Sequence, residues 1–212
     1  MRCTVQSGFH EFAVSEAKAL LRGEMPEHVS TSEIVRNLWF EVFDKSMSQR
    51  QRNESNDVIR GIFDSISRKD TIAQLPAWYG DERTKDELEE TRKKMDSVKH
   101  MIGDGTLIVP VMVSGFIYGA HAYRLARERH GSARFSLVGY SANRTNSMTP
   151  KWYPNRLWID KSDVQRIASA KNVLIIDDVI ESGETIGAVS CGIAEILGGD
   201  MSKVKSFSPL LS

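Results

Sequence analysis

Asn172-Val173-Leu174-Ile175-Ile176-Asp177-Asp178-Val179-Ile180-Glu181-Ser182-Gly183-Glu184-Thr185 is the stretch from which the fold class follows. An apolar, mostly β-branched run leads into two adjacent aspartates, and a small-residue turn follows. A continuous apolar run of this length suits a strand buried on both faces, as in a parallel sheet under helices. Beyond the turn, Ile186, Val189, Ile193, Ile196 and Leu197 fall on one face at helical spacing, and Gly198-Gly199 closes the helix. The turn therefore sits at a helix N-terminus, where unpaired N–H groups and the positive dipole end attract an anion. Gly183 lets backbone approach that anion, and Ser182 and Thr185 add hydroxyls. Asp177 and Asp178 lie at the carboxyl end of the strand, where open α/β sheets bind ligands. Two adjacent carboxylates repel each other unless a metal, a proton or ligand hydroxyls relieve them. A ligand that is both a sugar and a phosphate fits such a pattern.

Other readings of the same run are a Walker B strand, a phospho-acceptor pocket, and a strand that stops in a polar turn. The first requires a Walker A loop, and no G-x-x-x-x-G-K-[ST] occurs; Gly103-Asp104-Gly105-Thr106 lacks the lysine.

Upstream, Leu107 to Val113 forms a second apolar run, which enters Ser114-Gly115-Phe116 and a helical stretch through Ala122, Leu125 and Ala126 to Gly131. A third strand, Phe135 to Tyr140, precedes an aperiodic polar stretch, Ser141 to Pro154. Long loops in compact domains are either functional lids or plain surface segments. Ser162-Asp163-Val164-Gln165 reads as a capping box opening a short helix before the central strand.

The run from Val173 to Thr185 closely resembles the binding motif for 5-phosphoribosyl 1-diphosphate (PRPP) of the type I phosphoribosyltransferases. The resemblance implies an α/β fold with a Rossmann-like parallel-sheet core over residues 101–212, and the residues themselves give an N-terminal helical region over residues 1–100. It implies that Asp177 and Asp178 hold the ribose hydroxyls, directly or through the water shell of Mg²⁺. Glu181, Ser182, Gly183, Glu184 and Thr185 would wrap the 5-phosphate. Ser114 and Gly115 fall at the turn that takes pyrophosphate through backbone amides, a turn that often carries a non-proline cis peptide. On the residues alone, an ordinary strand-to-helix turn is an equal reading. Tyr140 and Ser141 resemble the start of the family's mobile loop, from which Arg144 and Lys151 would reach the diphosphate.

The layout is most similar to the hypoxanthine-guanine branch, with two departures. Glu181 stands where many members have an aspartate that handles a proton on the base; Glu181 is either that group or a loop residue. After Gly199 the sequence makes one more strand, Lys203 to Phe207, and runs to Ser212 without the basic residue and aromatic hood of the purine-salvage members. The acceptor pocket would then come from elsewhere, and Trp39, Trp78 and Tyr79 are the aromatic candidates. The implied reaction is phosphoribosyl transfer from Mg-PRPP to a nitrogenous acceptor, a nucleobase first. The rivals are a PRPP-sensing regulator without catalysis and transfer to a non-nucleobase intermediate. Family members commonly pair, which implies a homodimer.

The first hundred residues are helical in pattern. Ser30-Thr31-Ser32-Glu33 is a capping box ahead of the stripe Ile34, Val35, Leu38, Trp39, Val42 and Phe43. Asn56-Asp57 is read as opening a second helix, with Val58, Ile59, Ile62, Phe63 and Ile66 on one face. Asp81 to Lys99, with Leu88, Met95 and Val98, reads as a solvated helix laced with ion pairs. With 28 Lys+Arg against 28 Asp+Glu, charge gives no argument for nucleic-acid binding. Two cysteines, Cys3 and Cys191, suit a reducing cytoplasm. No leader pattern and no run long enough to span a membrane is seen. The five histidines show no metal-ligand spacing and read as structural or surface groups.

Overall fold

The computed structural model describes residues 3–24, 29–141, 156–180 and 183–211. The chain divides into two compact units, Met1–Leu88 and Glu89–Ser212.

The first unit is helical: α1 (Cys3–Leu21), α2 (Thr31–Phe43), α3 (Gln49–Ser67) and the short α4 (Leu75–Tyr79). Ser30 caps α2 as a complete capping box with Glu33. The apolar stripes of α2 and α3 are buried, and Trp39 meets Phe43 edge to face at 4.9 Å. Asn56-Asp57 does not open α3. The helix begins a full two turns earlier, at a second capping box formed by Ser48 and Gln51. The polar segment Gln49 to Ser55 is helical because that box starts it and because buried Ser55 donates to Glu41 Oε2 at 2.7 Å. Glu41 also takes His10 Nδ1 at 2.7 Å, so this buried carboxylate has two partners.

α5 (Lys85–Ser97) carries the charge-rich stretch, and its inward side buries Thr91 and Met95. The second unit then alternates strand and helix: β1 (Thr106–Met112), α6 (Phe116–His130), β2 (Arg134–Phe135), β3 (Val138–Ser141), β4 (Arg156–Ile159), α7 (Lys161–Ala168), β5 (Asn172–Ile176), β6 (Val179–Ile180), α8 (Glu184–Ile196), β7 (Val204–Phe207) and β8 (Leu210–Leu211). The main sheet has the order β4-β3-β1-β5-β7, with β2 beside β1. It is mixed and mostly parallel: only β4 runs antiparallel, against β3.

β1 and β5 are the buried centre, which is why both read as unbroken apolar runs rather than as alternating ones. Leu107, Val109, Val111, Val173 and Ile175 pack with Ile167 of α7 and Ile186, Val189 and Ile193 of α8. Residues between them point the other way, where α6 lies. There a Cβ on Gly119 would come within 3.1 Å of Pro110 Cγ, so helix and strand pack closely. α6 ends at Gly131 with φ 71°, and α8 ends before Gly198 with φ 78°, both as the glycines signal.

Three local expectations change. The third strand is broken at Ser136-Leu137, where the buried Asp163 carboxylate accepts from Leu137 N–H at 3.3 Å. α7 is capped by Asp160, not Ser162: Asp160 Oδ1 accepts from Ser162 N–H at 2.8 Å, which leaves Asp163 available to hold that break. After β7 the chain adds β8, which pairs in parallel with β6 in a separate two-stranded sheet. Among the described residues, no helix is long and apolar enough to cross a membrane.

Candidate functional site

From β1 the chain winds outward to β3 and β4, then returns across β1 to β5 and continues to β7. Strand order therefore reverses between β1 and β5. At such a switch point the connecting loops leave in opposite directions and open a crevice beyond the strands' carboxyl ends. The crevice here is a cavity of about 250 Å³ lined by Val111, Met112, Ser114, Tyr140, Asp177 to Ile180 and Gly183 to Ile186.

Asp177 follows directly on β5 and is only 4% exposed. Its Oδ1 accepts from Ser114 Oγ at 2.8 Å and from the Asp178 N–H at 3.0 Å. Burial pushes this carboxyl up to about 7, with Asp178's charge adding to the effect and the Ser114 hydroxyl opposing it. Asp178 is half-buried, and its Oδ1 accepts from Val179 N–H at 2.8 Å. The described hydrogen bonds of both carboxylates thus run through one oxygen each.

Ser114 reaches Asp177 because the turn after β1 lies hard against β5. A Cβ on Gly115 would stand 3.0 Å from Asp177 Cα and would clash with the Ile176 carbonyl oxygen. Glycine is therefore required by contact, not by φ, which is −75°. The Gly115 N–H is spent on Val111 O at 2.8 Å and the Phe116 N–H on Val113 O at 3.2 Å. Gly115 supplies proximity, and the Met112–Val113 peptide in this turn is cis.

Gly183 is the N-cap of α8, at φ 74°, with no side-chain cap on the helix. The first-turn amides of a helix have no acceptor within it. In α8 those amides belong to Glu184, Thr185 and Ile186, all of which line the cavity. Tyr140 lines it from β3, and Ser141 continues that strand. Arg144, Lys151, Glu181 and Ser182 lie outside the described residues.

Segments some sixty residues apart in sequence thus meet at one place. The apolar wall of Val111, Met112, Val179, Ile180 and Ile186 read in sequence as strand and helix interior. The signal for it was position, within a few residues of the strand ends and the helix start. The aromatic candidates differ from the site residues: Trp39 and Trp78 are 3% and 1% exposed, so both are packing residues. Tyr79 is half-buried under the Arg83 guanidinium, 4.9 Å from its ring centre. His121, fully buried, pairs with Asp96 at 3.1 Å, and its burial holds its pKa below the usual imidazole range. Cys191 is an exposed free thiol.

Two adjacent carboxylates are hard oxygen donors of the kind Mg²⁺ prefers. Among the described residues no cluster of three or more His, Cys, Asp or Glu is placed to hold a metal. A cation here would take the rest of its shell from water and ligand oxygens. No protein-family model matches the chain, and no curated protein matches it.

Proposed function

We propose that the protein transfers the 5-phosphoribosyl group of PRPP to a nitrogen of a small acceptor, a nucleobase first, and releases pyrophosphate. On this reading the second unit is a Rossmann-like phosphoribosyltransferase core. The observation that carries it is the convergence of Ser114, Asp177-Asp178 and Gly183 to Thr185 on one cavity at the switch point between β1 and β5. That arrangement brings acceptors for vicinal hydroxyls and donors for a phosphate to one cavity.

The uncapped start of α8 takes the 5-phosphate through backbone amides and the Thr185 hydroxyl. Asp177 and Asp178 take the ribose hydroxyls. In transfer, the bond from ribose C1 to the diphosphate oxygen breaks, with its electron pair leaving on pyrophosphate, and a bond from C1 to the acceptor nitrogen forms. The ring then passes through an oxocarbenium-like state whose positive charge the two carboxylates favour. Mg²⁺, when bound, supplies charge neutralisation for the leaving diphosphate. Ser114 fixes the Asp177 carboxylate in one orientation through its 2.8 Å bond.

Calorimetric titration of PRPP in the presence of Mg²⁺ tests this reading. Wild type is expected to bind, and Asp178→Asn is expected to lose PRPP affinity or turnover by at least ~100-fold, the scale of one charge-stabilising group. Unchanged affinity and turnover in Asp178→Asn would contradict the site.

A further inference from the structure

We infer that Ser208, which lies outside the cavity lining, is a positioning residue that fixes the Asp177-Asp178 backbone for ligand binding. Ser208 is 5% exposed. Its Oγ lies 2.7 Å from the Asp178 carbonyl oxygen, 3.0 Å from the Leu210 carbonyl oxygen and 3.2 Å from Leu210 N. The hydroxyl has one proton. It goes to Asp178, the shorter contact, while Leu210 N–H donates to Oγ.

The Leu210 N–H also shares the Asp178 carbonyl, at 3.3 Å, and the Asp177 N–H donates to the Phe207 carbonyl at 3.2 Å. Both aspartates are therefore stitched through their backbones to residues 207 to 210. A local serine turn needs only the contact to the amide two residues on. The bond to Asp178, thirty residues away in sequence, is additional.

The stitch matters because the main ladder stops there. The last register pair of β5 with β7 is Ile176 with Phe207, and β6 pairs only with β8. Asp178 falls between the two sheets, outside the paired residues of both, and the Leu210 N–H that reaches its carbonyl is a long bond of 3.3 Å at the ladder's end. Pro209 follows Ser208 and disfavours helical backbone there. Ser208 does not line the cavity, so it acts through Asp178 rather than on a ligand.

This inference rests on the PRPP reading for its ligand, so the test has two arms on the full chain: wild type, Ser208→Ala and Ser208→Thr. The first arm is amide hydrogen exchange without ligand. Ser208→Ala is expected to speed exchange at Val179 and Leu210 by about 10-fold, equivalent to about 1.4 kcal/mol and to one hydrogen bond. Amides within β1 stay unchanged, and Ser208→Thr restores the wild-type rates. The second arm is Mg-PRPP affinity, expected to fall by about 10-fold in Ser208→Ala and to recover in Ser208→Thr. Unchanged exchange in Ser208→Ala overturns the stitch. Faster exchange with unchanged PRPP affinity overturns its role in ligand binding. Faster exchange in a protein whose wild type does not bind PRPP overturns the proposed function and the ligand half of this inference, and leaves the stitch standing. If Ser208→Ala does not fold, Ser208→Cys, with a weak donor of similar size, replaces it in both arms.

Discussion

Asp177 holds its proton more tightly in the folded chain than in the unfolded one, with a pKa of about 7 against an ordinary 3.8. Protonation therefore favours folding between those values. This contribution is fully present below about pH 4 and is lost as pH rises through 7, with a slope of at most about 1.4 kcal/mol per pH unit. Asp177→Asn keeps the size of the group and removes the titration. Thermal melts of both proteins from pH 5 to 8 should show the variant gaining on wild type as pH rises; parallel curves would place the proton elsewhere. Gly115 makes a second prediction at this scale. A methyl there meets the Ile176 carbonyl and Asp177 Cα. Gly115→Ala should lower stability by about 1–3 kcal/mol, the usual cost of overpacking, and should weaken ligand binding because Ser114 is pushed off Asp177. Gly183 differs: a Cβ there meets nothing within 4 Å, so Gly183→Ala pays only for its φ of 74°, about 1–2 kcal/mol. Chemical denaturation of both variants separates the two cases.

At the scale of elements, legibility followed locality. β5 and α8 are legible because an apolar run, a carboxylate pair and a glycine-bounded helix lie within one continuous stretch. The α2 start was readable from Ser30 and Glu33, which carry their own hydrogen bonds. Gln49 to Ser55 has no apolar stripe, so the stripe alone points to a start at Asn56, whereas the helix starts at Gln49. The signal was present in Ser48 and Gln51, a capping box like the first. Ser48→Ala should accordingly destabilise the protein by about 1 kcal/mol in thermal or urea unfolding; no change would mean that Gln49 to Ser55 is not held as helix. β4 and β8 were illegible for another reason: they are short, and each exists through a partner far off in sequence, β3 for one and β6 for the other. Ser208 was invisible for the same cause, since nothing near it in sequence announces Asp178. At the cavity, what sequence provided was the list of polar residues, while the apolar wall and the closeness of Ser114 to Asp177 came from strand adjacency.

For the molecule as a whole, the second unit places its cavity where a sheet covered on both faces reverses strand order, so the described lining comes from strand ends and the start of a helix. The buried cost of Asp177 is a feature that the hydroxyls of a bound sugar would relieve, and α8 begins beside it with no side-chain cap. The chain's even charge leaves recognition to that local arrangement rather than to a long-range field. The most direct measurement is mass spectrometry of products after incubation with PRPP, Mg²⁺ and a pool of purine and pyrimidine bases. A new nucleoside monophosphate together with pyrophosphate is expected, both abolished in Asp178→Asn. PRPP recovered intact, with no nucleotide and no pyrophosphate formed, would contradict it.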